Sequence, residues 1–476
     1  MSINRESQQI NLFNQLEEFN SNTCFIDQNE KKISYKSIIN NSKKITHELE
    51  PRSLVFNLTN NHIESLTSYM GFFRKGLVQI LLDPKINYIL LQKLINTYSP
   101  DYIYLPIVRN EKFKNYSIMN KFNVYKILKI SKTKKYSVYK NLALLLTTSG
   151  STGSKKFVRI SYENIHNNTK NIIKYLKINQ SHKTITTMPP FYTYGLSILN
   201  THLFVGASIV VTEASIVEKL FWDLLKNQKI TSFGGVPYFY EILKKVKFNK
   251  MLLPNLKYFT QAGGALNKDL IKYFIDCAEL NKSKFIIMYG QTEATARMTY
   301  LPYNAIKKKI GSIGIPIPGG EIELKNIKIS KNNKKGEIIY KGKNVSMGYA
   351  NSYSDLKKKN ENNQILSTGD LAEKDKDGYL FIIGRKSREI KLHGHRINLN
   401  ELEAMLASKG YRCICHYFDN IVTIFHTNKS YDKKILKNLS LISKININSL
   451  RLKLLKEFPY NNNGKIAYNK LEGMKK

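Results

Sequence analysis

Short apolar runs alternate with segments of helical period through most of this chain, and that alternation limits the folds open to it. LALLLTT at 142–148 is followed by NIHNNTKNIIKYL at 164–176, then TITTMPP at 184–190, EKLFWDLLKNQ at 218–228 and TSFGGV at 231–236. Strand-length runs with helical stretches between them are the mark of βα units, which bury mostly parallel sheets under layers of helices. At 476 residues the chain exceeds one compact core, so two or three units are expected. The texture changes near 311. GSIGIPIPGGEIEL, GEIIYKGKNVSMGY and DGYLFIIGR read as short strands joined by turns, a small β-rich subdomain over about 311–384. Past Arg385 come IKLHGHRINL, a helix from Asn400 (NELEAMLASKG), paired strands at RCICHYF and IVTIFH, and a last helix-and-strand segment. The expected fold class is α/β: a large N-terminal domain of βα-layered sheets over 1–384, a joint at 385–390, and a small α+β C-terminal domain over 391–476.

Composition narrows the class. Hydrophobic residues make up 42%, with 30 Tyr and 22 Phe, enough for sizeable cores. MSINRESQQINLFNQLEEF lacks a basic head followed by an apolar run, so no secretory leader is expected, and no stretch reaches the length of a membrane span. Cys24, Cys277, Cys413 and Cys415 show neither metal-ligand spacing nor the density of a disulfide framework, which fits a cytoplasmic protein. The 75 Lys+Arg against 36 Asp+Glu leave a formal charge of +39, the kind of excess that draws nucleic acid or anionic surfaces. The lysines are scattered, however, in a chain crowded with Asn and Ile, and no basic stripe interleaves with aromatics as a stacking platform requires. Nucleic acid is not expected as a partner.

Between LALLLT and the strand FVRIS lies TSGSTGSKK, residues 148–156. Gly150 and Gly153 let the backbone turn and expose its N–H groups. Thr148, Ser149, Ser151 and Thr152 add hydroxyls and Lys156 a positive charge, which together make a polyanion cradle. The spacing is not that of G-x-x-x-x-G-K-[ST]. A flexible Ser/Gly turn is the plainer reading, and on this stretch alone the two stand level. Ser161 is placed to cap the helix that follows.

Four further stretches follow: YGQTEATARM at 289–298, STGDLAEKDKDGYLFIIGR at 367–385, IKLHGHRINLNELE at 390–403 and NNNGKIAYNKL at 461–471. In this order, with TSGSTGSKK before them, they resemble the motifs of the adenylate-forming superfamily, which comprises acyl- and aryl-CoA synthetases, nonribosomal peptide adenylation domains and luciferases. The resemblance runs from about residue 20 to the end, with no motif before 140. It implies ATP and Mg²⁺ as cofactors and a small carboxylic acid as substrate. The acid is activated as acyl-AMP with release of pyrophosphate, then passed to a pantetheine thiol of CoA or of an acyl carrier protein.

The resemblance also assigns roles. Thr148, Ser149, Gly150, Ser151, Thr152, Gly153 and Lys156 match the phosphate loop; Tyr289, with Gly290 and Gln291, lies beside the adenine; Thr292 sits near the α-phosphate and Glu293 on the Mg²⁺. A hard cation bridging phosphates wants a carboxylate, and a planar ring suits a purine. QAGGALN at 261–267 resembles the loop against the adenine, with Gly263, Gly264 and Ala265. Asp370 matches the carboxylate that holds both ribose hydroxyls, joined by Ile382 and Arg385 in the nucleotide seat; as plain TGD turn chemistry, Asp370 is a cap. Lys465 matches the catalytic lysine of the first step, where a cation relieves the repulsion between carboxylate and phosphate.

The acyl pocket is expected from PPFYTYGL at 189–196, with Phe191, Tyr192, Tyr194 and Gly195, and from Gly234, Val236, Ala294 and Thr295. Amino-acid-activating members carry Asp where this chain has Tyr192, which removes the countercharge for an ammonium group. In the family the C-terminal domain is mobile, and its rotation brings IKLHGHRI to the site for thiol attack. Lys391, His393 and Gly394 then line the thiol channel, and the hinge position is Ser387, where Asp or Lys is usual. Lys155 and Phe157 also depart from the family's proline and glycine. Two other readings stay open: a ligase loading an amino acid onto a carrier protein, and a non-catalytic nucleotide- or polyanion-binding protein.

Overall fold

The computed structural model describes residues 12–131, 137–147, 156–330, 333–392, 395–431, 434–443, 445–460, 466–472 and 474. The chain divides into two compact units, Met1–Glu321 with Lys341–Leu366 and Ile322–Tyr340 with Ser367–Lys476. The β-rich stretch from about 311 is thus shared between them. The fold is mixed α/β, with parallel sheet at the centre as the sequence rhythm implies, and antiparallel strands at the edges.

In the first unit a nine-stranded sheet carries Lys183–Ile185, Ser208–Val210, Ser232–Gly235, Tyr258–Gln261 and Lys284–Tyr289 in parallel. An eight-stranded sheet carries Leu54–Leu58, Val78–Leu82, Tyr102–Pro106 and Leu142–Thr147 in parallel. Leu54–Leu58 and Val78–Leu82 are buried at every position, as strands covered on both faces must be. Between layers the helix Tyr162–Leu176 buries Ile165, Ile172 and Leu176. Its start is a capping box: Ser161 Oγ accepts from the Asn164 N–H at 3.0 Å and Asn164 Oδ1 from the Ser161 N–H at 2.9 Å.

The strands Leu142–Thr147 and Phe157–Ser161 pair antiparallel, Thr147 opposite Phe157, so the two ends of the segment 148–155 lie side by side. On the other edge of Phe157–Ser161, Tyr349 pairs with Val158. That junction is held by Arg159, which is fully buried. Its guanidinium donates to the carbonyls of Tyr349 (3.0 Å), Met347 (2.8 Å), Lys358 (2.6 Å) and Lys359 (3.3 Å) and to Glu361 Oε2 (2.5 Å). Burial lowers the Arg159 pKa, and the carboxylate of Glu361 opposes that shift.

The second unit holds most of a four-stranded sheet ordered Gly320–Ser330, Asn333–Gly342, Ile365–Lys374 and Leu380–Arg385. Beyond it, Cys413–Phe418 pairs antiparallel with Ile421–His426, which pairs in parallel with Leu450–Leu454. The helices Leu399–Ser408 and Lys434–Ser443 close a core of Leu402, Leu406, Val422, Ile424, Ile435 and Leu439 over it. Asn398 Oδ1 caps the first helix through the Asn400 N–H at 2.9 Å. No helix among the described residues is long and apolar enough to cross a membrane.

Arg159→Met leaves the carbonyls it serves without a donor, so unfolding of the first unit, followed by the single tryptophan Trp222, is expected to lose about 3 kcal/mol or more. Glu361→Gln touches a half-exposed partner, and its cost is expected to stay within about 1 kcal/mol. Equal midpoints for wild type and Arg159→Met would remove Arg159 as the holding residue.

Candidate active site

Three adjacent parallel strands, Ser232–Gly235, Tyr258–Gln261 and Lys284–Tyr289, end on one edge of the nine-stranded sheet, with Gly235 level with Gln261 and Gln261 with Ile287. Carboxyl ends of parallel strands are where open α/β sheets present ligand-binding loops. Val236, Ala262 to Ala265 and Gly290 to Gln291 therefore leave the sheet together. Gly263 takes φ +88°, a left-handed conformation. A Cβ on Gly290 would stand 1.7 Å from the Ala296 carbonyl oxygen, so the chain doubles back there at a distance open to glycine alone.

After Gly290 the chain makes one tight helical turn, Thr292–Ala294, and Thr295 follows at φ +66°, ψ −49°. That conformation costs a β-branched residue on the order of 1–3 kcal/mol. Asn344 holds it: Thr295 Oγ1 donates to the Asn344 carbonyl at 2.7 Å, and Asn344 Nδ2 donates to the Ala294 carbonyl at 2.9 Å. The Glu293 carbonyl accepts from the Ser346 N–H at 2.8 Å. Thr292 is buried, its hydroxyl 3.3 Å from that of Thr193. Gln291 Nε2 donates to the Tyr289 hydroxyl at 3.2 Å.

Tyr349 links two of the expected site residues. Its hydroxyl donates to Glu293 Oε1 at 2.9 Å, and the Lys156 ammonium lies 3.5 Å from its ring centroid. The Arg159 contacts that fix Tyr349 thus also fix the spacing between a carboxylate and a cation. Sequence reasoning missed Tyr349, which reads as one more aromatic of a short strand. It also missed Asn344 and Thr193, whose parts depend on who faces them across the fold.

The expected acyl wall divides. Tyr192, Tyr194 and Val236 share one buried cluster with Met188, Tyr258 and Met288, whereas Phe191 packs against a different core with Leu196 and Leu199. Gly195 has Met188 and Pro189 carbonyls within 2.7 Å of where a Cβ would go, and Gly234 faces the Tyr194 hydroxyl at 2.8 Å. The Tyr194 hydroxyl bonds Thr260 through its carbonyl (2.8 Å) and hydroxyl (2.7 Å). Burial pushes the Tyr192 phenol up to about 12, so it stays neutral at pH 7. His202, on the same helix as Tyr194, is buried against the Ile198 carbonyl at 2.8 Å, and burial pulls its pKa down to about 4.

In the second unit Asp370 and Arg385 stand opposite each other on neighbouring strands and form an ion pair, Nε to Oδ1 2.7 Å. Asp370 lies in the strand Ile365–Lys374 and is buried, whereas Arg385 is half-exposed. On the neighbouring strand Asn333–Gly342, Glu337 accepts from the Ser367 hydroxyl (2.5 Å), the Gly369 N–H (3.3 Å) and Lys386. Ile382 is partly exposed, Ser387 sits in the turn Lys386–Arg388, and Lys391 in the strand Glu389–Leu392. Thr148, Ser149, Gly150, Ser151, Thr152, Gly153, His393, Gly394 and Lys465 lie outside the described residues.

A model of the family described as AMP-binding enzyme matches residues 12–350. The chain belongs to the AMP-binding enzyme family. Oxalate–CoA ligase of Arabidopsis thaliana is 30% identical over 271 residues, 56% of this chain and 52% of that protein. D-alanine–D-alanyl carrier protein ligase of Bacillus cytotoxicus is 28% identical over 281 residues, 56% of this chain and 55% of that protein. The chain spans about half the length of the curated relatives it matches. O-succinylbenzoate coenzyme A synthetase from Bacillus subtilis, in complex with ATP and magnesium ion, superposes with a TM-score of 0.78 over 98% of this chain and 99% of that one, at 20% identity. At that identity the likeness is one of fold.

Gly290→Ala forces a methyl onto backbone in this AMP-binding enzyme, and its thermal midpoint is expected to drop by the equivalent of about 1–3 kcal/mol. His202 gives a pH effect of definite sign. The unfolded chain takes up a proton near 6.5 and the fold resists it to about 4, so this contribution is complete above 6.5 and is lost as pH falls toward 4. The loss is on the order of 3 kcal/mol. His202→Gln should flatten that limb of a stability–pH curve; an unchanged limb would show that His202 does not set it.

Proposed function

We propose that this chain is an ATP-dependent acid–thiol ligase, which activates a carboxylic acid as acyl-AMP, releases pyrophosphate and passes the acyl group to a pantetheine thiol. The observation that carries the reading is the Glu293–Tyr349–Lys156 cluster in a chain of the AMP-binding enzyme family, with a carboxylate on the hydroxyl of one ring and a cation over its face. Glu293 and the Thr292 hydroxyl offer the hard oxygen donors that Mg²⁺ takes alongside phosphate oxygens, so the residues present fit that ion. When bound, Mg²⁺ supplies charge neutralisation on the phosphates.

The chain's own residues divide the remaining work. Lys156, with the loop 148–153, attracts the polyphosphate, and Tyr289 offers its partly exposed ring to the adenine, with Gly263 and Gly264 allowing close approach. Asp370 accepts from the ribose hydroxyls, with Arg385 setting its orientation. Lys465 reaches the carboxylate and the bridging oxygens during adenylation, and rotation about Ser387 then exchanges it for Lys391, His393 and Gly394. The neutral Tyr192 gives an ammonium group no counterion, which weighs against an α-amino acid substrate. Oxalate–CoA ligase and D-alanine–D-alanyl carrier protein ligase carry the two acceptor types in their names, so both CoA and a carrier protein stay within the proposal.

Carboxylate-dependent ATP–pyrophosphate exchange across a panel of acids tests the reading. Exchange with at least one acid supports it; no exchange, together with salt-sensitive binding of nucleic acid, would favour a polyanion binder. Lys465→Ala is expected to lower exchange by more than about 100-fold while a preformed acyl-AMP is still consumed by thiol. Equal loss of both steps would take that role from Lys465.

A further inference from the structure

Arg297 is buried, 3% exposed, and among the described residues no carboxylate pairs with it. Its NH1 donates to the Tyr175 hydroxyl at 3.3 Å, its guanidinium carbon lies 5.0 Å from the centroid of the Tyr194 ring, and its Nε is shielded from solvent with no hydrogen-bond partner. A guanidinium has five donors in a planar fork, and removing it from water costs several kcal/mol unless those donors and the charge are met. Other sequestered arginines of this chain are met. Arg159 has four carbonyls and Glu361, Arg388 has Glu403 and the Cys415 carbonyl, and Arg52 has the carbonyls of Leu142, Tyr139 and Gly76. The Arg297 carbonyl accepts from Asn168 and Asn344, whereas its side chain has one hydrogen bond, to a neutral phenol, and a buried Nε with none.

The surroundings sharpen the point. Tyr175 stacks on Tyr300 at 4.2 Å, and Tyr175 and Tyr194 belong with Tyr192, Met188, Val236 and Met288 to one buried apolar cluster. Burial raises the phenol pKa of Tyr175 and Tyr194, so neither supplies a negative charge at pH 7. Tyr194 and Thr193 are neighbours at the start of one helix: Tyr194 faces the guanidinium, and the Thr193 hydroxyl meets that of Thr292. Successive residues of that helix start thus touch the guanidinium and the Thr292 hydroxyl of the proposed site. A planar anion that can take two parallel N–H bonds is the match for such a fork.

We infer that the acid activated here is a dicarboxylic acid whose non-reacting carboxylate pairs with Arg297. This rests on the ligase reading and names its substrate class. Arg297 is a specificity residue in that account; the group that reacts is the other carboxylate.

The test is ATP–pyrophosphate exchange on matched pairs: dicarboxylic acids from malonate through adipate, and phthalate, each beside its monoamide, which keeps the shape and drops one charge. Wild type is expected to favour one diacid over its monoamide by on the order of 100-fold in kcat/KM. Arg297→Met should collapse that ratio toward one, and Arg297→Lys should retain part of it. A wild type that exchanges monocarboxylic acids or monoamides as well as any diacid overturns the inference and leaves the ligase reading standing. Exchange with no acid at all overturns both. A ratio unchanged in Arg297→Met also overturns it, and the wild-type ratio decides the matter even where that variant does not fold.

Discussion

The five contacts of the Arg159 guanidinium join parts of the chain that sequence separates by about two hundred residues. The strand Phe157–Ser161 leaves the glycine-rich stretch, and the segment 346–361 comes back from beyond the β-rich region. An arginine is suited to this because its donors are fixed in a plane and can serve several carbonyls at once, whereas a lysine would meet them one by one. Glycine 348 leaves room for it, since a Cβ there would come within 3.2 Å of Arg159 NH2. Lys156 lies three residues before the arginine and Tyr349 is one of its acceptors, so the geometry of the cluster around Glu293 follows from the packing of this one side chain.

A second constraint acts on the loop itself. Gly290 lets the backbone return against Ala296, and Thr295 is held at positive φ by the two bonds to Asn344. Strain of this kind persists where surrounding bonds over-determine the backbone. Here it presents Thr292 and Glu293 from a single helical turn at the end of a rigid strand, an arrangement that reduces what ordering must cost when a ligand arrives.

Beside this loop the protein is apolar and aromatic, with phenols kept neutral by burial and a guanidinium among them. Low polarity strengthens any ionic contact made there and penalises any charge left alone. The same physics keeps His202 neutral nearby. The positive excess of the whole chain, by contrast, is spread over solvated surface where salt screens it, and it bears little on this interior.

Much was legible in the residues alone. Alternating apolar and helical-period runs determined the βα layering, because burying both faces of a strand requires it, and Ser161 announced its helix through local capping chemistry. The ordered motifs singled out the stretches 289–298 and 367–385 as candidates, since glycines, hydroxyls and acids in short windows stand out in the sequence without any knowledge of the fold. Three-dimensional packing decided the rest. Nothing near Tyr349 in sequence says that it meets Glu293 and Lys156, Phe191 packs into a different core from its neighbour Tyr192, and an arginine between Ala296 and Met298 shows that it meets no carboxylate among the described residues only when the elements around it are assembled. Local chemistry is written in neighbouring residues; the partners of a buried charge come from distant ones, and only the fold brings them near.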